Sequence, residues 1–337
     1  MIKTKTFVIA EIGINHNGNF KTAVKLIKKA KLCGADAVKF QSFIAEKVVT
    51  KKLGLATYQK NRKTNLNQKM VDMLNKYKID QDAQIRLAKE CKKNKLEFIS
   101  SAFDMESLNF LIKKLRVKTL KIPSGEITNF PYLVKIAKSK KNIILSTGMS
   151  NIKEIGEALS VLIKNGSKKN KIKLLHCNSS YPTPVTDINL KTINYLKNKF
   201  KIEVGLSDHT TSVIIPSAAV ALGAKIVEKH FTLNINQKGP DHKSSLDPIN
   251  FKEMVSFIRH IEKALGREKK IVTNSEKPNL KFSRKSIVAK KNIKKGERFS
   301  IKNITTKRPG IGLSPMLWNK VLKKKSNKNF NKDDLIH

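Results

Sequence analysis

Residues 6–41 read TFVIAEIGINHNGNFKTAVKLIKKAKLCGADAVKFQ, and the order of patterns in this stretch decides the fold. Two short apolar runs, at 7–12 and 37–41, have the length and composition of buried strands. Between them, residues 20–32 set Ala23, Leu26, Ile27 and Ala30 at the i, i+3, i+4, i+7 spacing of one helix face, with lysines filling the polar sides. A strand, a helix and a second strand in this order form a βαβ unit, which makes the two strands parallel.

The same alternation repeats outward along the chain. Further strand-like runs lie at 97–101, 119–123, 142–147, 172–176, 202–206 and 225–230, which brings the total to eight. The helix after the fifth run opens at Asn151 with Glu154 three residues on, the pattern of a capping box. It carries Ile155, Ala158, Leu159 and Leu162 as its stripe and stops at Gly166. Eight strands each followed by a helix predict an α/β fold, a (β/α)8 TIM barrel, with its chemistry at the C-terminal strand ends. An open doubly wound sheet would need a glycine-rich phosphate turn after the first strand, and GINHNG at 13–18 lacks the GxGxxG spacing. Residues 45–78 are too many for an ordinary βα connection and are expected to cover the site.

The barrel pattern ends with a helix at 251–265. Residues 266–283 are polar without a stripe and read as a linker, and 284–337 read as a compact, mostly-β module of short strand-like pieces around glycine turns. The expected organisation is a catalytic barrel over 1–265, a linker over 266–283 and a small domain over 284–337. A module of that size depends on docking against another surface for much of its stability.

Of the 337 residues, 69 are Lys or Arg and 26 are Asp or Glu, a formal charge of +43. That balance raises nucleic acid or a membrane surface as partners. Only eight of the basic residues are Arg, the lysines are spread over the whole length, and no basic stretch is interleaved with aromatics on which bases stack. The charge is read as a solvated lysine coat that draws anionic substrates from a distance, and neither a nucleic-acid nor a membrane partner is expected. No apolar run is long enough for a membrane span, and the first residues lead directly into a strand rather than a secretory leader, so a cytoplasmic location is expected. Cys33, Cys91 and Cys177 are odd in number and widely spaced, which predicts buried free thiols rather than disulfides or a zinc site.

Polar residues gather at the ends of the predicted strands. Glu11, Lys39 and Gln41, Ser101, Lys121 and Ser124, and Ser146 and Thr147 close the first five; Asn178, Ser179 and Tyr181, Ser207, Asp208 and His209, and Glu228 and His230 close the last three. A lysine within an apolar strand, as in AVKFQ and TLKIPS, is costly to bury without an anion. Two of them predict a doubly charged ligand whose oxygens the strand-end hydroxyls bind. The alternative is pairing of Lys39 and Lys121 with Glu11, Glu126 or Glu228 inside the mouth. His209 and His230 end successive strands with Asp208, Glu228 and Asp241 nearby, a pattern that suits a divalent first-row metal held by two imidazoles. His16 sits in a turn and is a weaker candidate, as is His242. Arg308 stands out in a chain that otherwise favours lysine, because its fork holds an amide or carboxyl oxygen in fixed geometry.

Taken together, the motifs EIGINHNG (11–18), GADAVKFQ (34–41), KIPSGEITNFPYL (121–133), LSTGM (145–149), YPTP (181–184), GLSDHT (205–210), EKHFTL (228–233), GPDHKSSLDP (239–248) and KRPG (307–310) resemble the N-acetylneuraminate synthase family, which includes the legionaminate and pseudaminate synthases. The resemblance spans nearly the whole chain and includes the antifreeze-like (SAF) C-terminal domain. It implies condensation of phosphoenolpyruvate with an N-acyl amino-hexose and water to give a nonulosonic acid and phosphate. N-acetylmannosamine is the favoured acceptor, with 2,4-diacetamido-2,4,6-trideoxymannose, the legionaminate substrate, as the alternative.

Position by position, the resemblance implies that His209 and His230 hold a metal, usually manganese, with magnesium or cobalt as alternates. It implies that Lys39, Ser101, Lys121, Ser124, Ser146, Ser179 and Ser207 bind phosphoenolpyruvate. Gln41, Tyr181, Asp241, Phe282 and Arg308 face the sugar, and Glu11 manages the attacking water with Glu228 in the same pocket. It also implies a domain-swapped homodimer in which each small domain caps the other barrel, so that Arg308 acts in trans. Ser101, Ser179 and Ile311 depart from the family's usual residues. The competing readings are a synthase acting on a sugar phosphate, for which the sequence shows no arginine cluster, and a non-catalytic protein that binds nucleic acid or other anions.

Overall fold

In the computed structural model, which describes residues 5–55 and 69–337, the chain divides into two compact units, Met1–Gly266 and Arg267–His337. The first is built on eight parallel strands: β1 (Phe7–Gly13), β2 (Ala37–Ser42), β3 (Glu97–Ala102), β4 (Thr119–Ile122), β5 (Asn142–Ser146), β6 (Ile172–Cys177), β7 (Val204–Asp208) and β8 (Ile226–His230). Each pairs with the next, and β8 returns to β1 with Glu11 opposite His230, which closes the barrel. The expected barrel is therefore the observed one, and each predicted strand lies within two residues of its place.

The connections carry the helices α1 (Phe20–Leu32), α2 (Ala45–Val48), α3 (Met70–Tyr77), α4 (Gln81–Lys93), α5 (Met105–Asn109), α6 (Phe130–Lys138), α7 (Ile152–Lys164), α8 (Thr192–Phe200), α9 (Ile215–Ala221) and α10 (Pro248–Ala264). In α1 the Asn19 side chain accepts from the Thr22 N–H, and the predicted stripe of Ala23, Leu26, Ile27 and Ala30 is the buried face. In α7 the Asn151–Glu154 capping box forms in both directions, and Ile155, Ala158, Leu159 and Leu162 are buried. Helices of this kind are stabilised chiefly by the face they bury, at about 1.5–3 kcal/mol for each large apolar side chain removed from water.

Alternation along the strands separates two cores. Outward residues such as Val8, Ala10, Val38, Phe40, Leu120, Ile122, Leu174 and Leu206 pack with the helices into the main cluster. Inward, Ile9, Ala37, Ile99, Ile144, Leu175 and Ile226 fill the interior of the barrel. Because side chains on a strand repeat every two residues, that apolar plug fixes which residues one step nearer the C-terminal end must also point inward. No helix among the described residues is long and apolar enough to cross a membrane. Cys33, Cys91 and Cys177 are buried and free, as expected.

The long connection after β2 contributes α2 and α3; its residues 56–68 lie outside the described residues, so the expected cover over the site is described only for its flanks. A further apolar cluster, made of Ile14, Phe43, Leu55, Met73 and Tyr77, backs this segment.

In the second unit, part of the stretch that reads as a linker forms α11 (Lys277–Ser283), with Pro278 in its first turn. The rest contains an antiparallel pair, β9 (Ser286–Ala289) and β10 (Ile304–Lys307), and the short α12 (Trp318–Val321). Its own core holds Ile287, Ile293, Phe299, Ile304, Val321, Phe330 and Ile336.

Candidate functional site

Two residues above the apolar plug, every strand turns one side chain into a single cavity of about 390 Å³ at the C-terminal end of the barrel. Glu11 and Lys39 come from β1 and β2, Ser101 and Lys121 from β3 and β4, Ser146 and Cys177 from β5 and β6, and Ser207 and Glu228 from β7 and β8. Gln41, Ser124, Ser179, Tyr181, His209, His230 and Asp241 line the same cavity beyond them. Fourteen of the sixteen residues given a site role by the resemblance thus converge, whereas Thr147, Asn178 and Asp208, also expected at strand ends, are not part of the lining. The other two, Phe282 and Arg308, belong to the second unit, where Arg308 Nε donates to the Ser283 carbonyl oxygen at 3.2 Å and both side chains are exposed.

The charged residues of the cavity floor form one interacting set. Lys39 Nζ lies 2.9 Å from Glu11 Oε2 and 3.6 Å from Glu228 Oε1, and Lys121 Nζ lies 3.6 Å from the same Glu228 oxygen. Lys121 donates to Ser146 Oγ at 2.7 Å, Lys39 to Ser101 Oγ at 3.5 Å, and Ser207 to Glu228 Oε1 at 3.1 Å. The lysines thus do pair with Glu11 and Glu228, while Glu126, the third candidate partner, lies elsewhere and accepts from Asn129.

The carboxylates of this set are driven apart. Burial pushes Glu11 up to about 7, with the Lys39 ammonium opposing and the Glu228 carboxylate adding to the rise. Burial pushes Glu228 upward too, but Lys121 and Lys39 outweigh it and hold the group below its ordinary range. Lys121 is lowered, chiefly by burial, whereas the two carboxylates beside Lys39 overcome its burial and raise it. Near neutral pH, then, Glu228 is an anion and Glu11 exchanges a proton.

At the rim, His209 Nδ1 faces the Asn178 carbonyl oxygen at 2.6 Å. A carbonyl only accepts, so Nδ1 carries the proton and the Nε2 lone pair is left to face a ligand. The His209 and His230 ring centroids are 5.3 Å apart, and Tyr181 packs on both rings. His230 Nδ1 is buried without a hydrogen-bond partner among the described residues and lies 3.9 Å from Asp241 Oδ2. Burial drives His230 well below its ordinary value, which keeps that imidazole neutral, and raises Asp241 to about 6. Two imidazoles, one oriented from behind and one with an unsatisfied nitrogen, are a donor set that fits a divalent first-row cation. Among the described residues no group of three His, Cys, Asp or Glu gathers as a metal site.

Asp208, expected near these rings, is a correction. It follows Ser207 on β7 and so alternates to the outer face, where its carboxylate takes Lys229 Nζ at 2.6 Å. His16 and His242 are also explained without a ligand: His16 Nδ1 accepts from the Gly18 N–H, and His242 bridges Thr232 Oγ1 and Asn17 Oδ1.

Two glycines leave room for the site. Gly13 has φ +52° at the register shift of β1, and a Cβ there would stand 3.0 Å from Glu11 Oε1 and 3.4 Å from Asp241 Oδ2. At Gly148 a Cβ would come within 2.3 Å of Ser179 Oγ and 2.8 Å of Ser124 Oγ, while its N–H donates to Ser124 Oγ at 3.0 Å. Any side chain at Gly148 would therefore displace the two hydroxyls that face the cavity there.

The sequence reading missed Cys177, which its place two residues beyond Leu175 would have revealed. It placed residues 45–78 over the site, as Val48, Met70 and Leu74 are, but did not single out the apolar side that these three make with Phe43 and Phe103. No local pattern marks those five as neighbours.

Comparison with known proteins agrees with this construction. The NeuB family matches residues 26–270, and the SAF domain matches residues 284–337. The chain is 50% identical to N,N'-diacetyllegionaminic acid synthase of Campylobacter jejuni subsp. jejuni over 98% of its own length and 99% of that protein. It is 40% identical to the protein of the same name from Legionella pneumophila subsp. pneumophila, over 92% of this chain and 87% of that one. Among solved structures, the N-acetylneuraminic acid (sialic acid) synthetase of Leptospira borgpetersenii superposes with a TM-score of 0.73 at 33% identity, covering 82% of this chain and 90% of that one. A closed barrel with a polar mouth, a C-terminal SAF domain and near full-length likeness to synthases of this kind lead to one assignment: the chain belongs to the NeuB family, the enzymes of sialic acid synthase type.

Proposed function

We propose that this enzyme condenses phosphoenolpyruvate with 2,4-diacetamido-2,4,6-trideoxymannose and water, giving N,N'-diacetyllegionaminic acid and phosphate. The observation that carries the reaction is the convergence of two buried lysines, two oppositely shifted carboxylates and two imidazoles on one cavity. The choice of acceptor, between the two that the motifs leave open, rests on the likeness to the diacetyllegionaminic acid synthases.

Lys39 and Lys121 anchor the phosphoenolpyruvate carboxylate and phosphate, and Ser101, Ser124, Ser146, Ser179 and Ser207 orient their oxygens. Carbon C3 of phosphoenolpyruvate bonds to the open-chain sugar aldehyde, whose oxygen takes up a proton to become a hydroxyl. Water adds at C2 as Glu11 accepts its proton, with Glu228 remaining ionised beside the lysines. The C2–O bond to phosphate then breaks, phosphate leaves, and the 2-keto acid closes to its ring form. His209 and His230 are the residues that would hold a divalent metal, manganese by resemblance, with magnesium or cobalt as alternates. When bound, that ion supplies Lewis-acid polarisation of the aldehyde. Gln41, Tyr181 and Asp241 face the sugar. Phe282 and Arg308 complete its site in a homodimer whose small domains cap the opposite barrels. Use of phosphoenolpyruvate, an intracellular metabolite, agrees with a cytoplasmic location.

The test is incubation of purified protein with phosphoenolpyruvate, manganese and each candidate sugar, following phosphate release and the mass of the acid. The diacetamido sugar is expected to give stoichiometric phosphate and the corresponding nonulosonic acid. Phosphate release only with N-acetylmannosamine would overturn the acceptor, and silence with every N-acyl hexosamine would overturn the reaction.

A further inference from the structure

The cavity has two unlike sides. The floor is charged, and its lysines, Lys39 beside Glu11 and Glu228 and Lys121 beside Glu228, are the ones assigned above to phosphoenolpyruvate. One flank is apolar: Phe43 from the end of β2, Val48 from α2, Met70 and Leu74 from α3, and Phe103 just beyond β3. This flank is backed by Ile14, Leu55, Met73 and Tyr77, all buried, so it is a packed wall rather than a set of loose side chains. None of these five described side chains forms hydrogen bonds. Against these five side chains a sugar hydroxyl would give up water without a replacement partner, and a sugar phosphate would meet no cation. A methyl group would lose nothing and gain contact.

We propose that the wall of Phe43, Val48, Met70, Leu74 and Phe103 receives the C6 methyl group of the acceptor, and that this contact selects 6-deoxy sugars over acceptors with a hydroxyl or phosphate at C6. The inference rests on the condensation proposed above and adds the surface that reads the sugar's far end. Glu11, Lys39 and Lys121 serve the reacting end and are common to all acceptors. The wall acts only on the substituent that differs.

The decisive comparison uses two sugars that differ by one oxygen, N-acetylmannosamine and its 6-deoxy analogue, with phosphoenolpyruvate and manganese. The wild-type enzyme is expected to favour the 6-deoxy sugar by ~10- to 100-fold in kcat/KM, the range that one small substituent commands in an apolar pocket. Val48→Thr keeps the volume and adds a hydroxyl, and Leu74→Asn places an amide on a half-buried position. Each is expected to bring the ratio toward one while the KM for phosphoenolpyruvate stays unchanged. Equal use of the two sugars by the wild-type enzyme overturns the proposal without need of any variant. Variants that slow both sugars equally also overturn it, since that pattern marks a structural role. Failure of the underlying reaction reads differently, as no phosphate release with any acceptor, and it removes the proposal with it.

Discussion

Glu11 and Glu228 are the same residue type in one cavity, and their neighbours give them different work. Glu228 has two ammonium groups within 3.6 Å, whereas Glu11 has one at 2.9 Å and pays for burial with a pKa of about 7. If the ionised form of Glu11 accepts the proton of water, the sign follows: below pH 7 the group is protonated and idle, and kcat/KM rises as pH passes through about 7. Glu11→Gln is expected to remove that rising limb and lower kcat by ~10²- to 10⁴-fold, measured as phosphate release across pH 5.5–8.5, a window of about 1.5 units on either side of the transition. A variant that keeps the limb would place the base elsewhere. At His209 the expectation is a loss of at least ~100-fold in turnover for His209→Ala, together with loss of tight manganese binding in a direct titration. Retention of metal-dependent activity would overturn the ligand assignment.

At the scale of elements, the ends of β7 and β8 supply both imidazoles, His209 one residue beyond β7 and His230 as the last residue of β8, and the two strands are joined behind the cavity by a buried ion pair. Lys229 Nζ reaches Asp208 Oδ2 at 2.6 Å and the Thr210 carbonyl oxygen at 2.5 Å, and Asp208 also accepts from the Thr210 N–H and hydroxyl. Both charged side chains are fully buried. Each charge makes the other tolerable, and removal of one alone leaves the other uncompensated. Lys229→Met is therefore expected to destabilise the barrel by ~3–5 kcal/mol, and the double change with Asp208→Leu to recover much of that loss, as read by denaturant unfolding. A double variant whose loss equals the sum of the two single losses would show that the pair is not coupled. Because its members alternate with Ser207, Glu228 and His230, the pair also fixes the level at which those side chains enter the cavity.

For the whole molecule the outstanding quantity is a formal charge of +43 in 337 residues. Like charges at that density repel one another in the folded state, yet they surround the enzyme with a potential that gathers anions. Phosphoenolpyruvate is a multiply charged anion and the acceptor sugar is neutral, so the two substrates should respond differently to salt. Raising ionic strength from about 0.01 to 0.15 M, which shortens the screening length from about 30 to 8 Å, is expected to lower kcat/KM for phosphoenolpyruvate several-fold and leave that for the sugar unchanged. Initial rates at varied potassium chloride check this, and parallel slopes for both substrates would show that the lysine coat plays no part in capture.

By itself the sequence determined the barrel, its eight strands and thirteen strand-end residues of the cavity, because these follow from short-range rules: period two on strands, period 3.6 on helices, and polar residues at strand ends; Asp241 came from the family resemblance. The Asn151–Glu154 cap and the stripe of α1 are local in the same way. Tertiary structure alone decided the rest. Asp208 and His209 are adjacent in the chain, yet the first faces Lys229 and the second the cavity, a matter of strand register. The apolar wall unites Phe43, Met70 and Phe103 from separate segments, and the split between Glu11 and Glu228 depends on ammonium groups from β2 and β4. Burial and electric fields are sums over neighbours in space, and the chain's order does not list those neighbours.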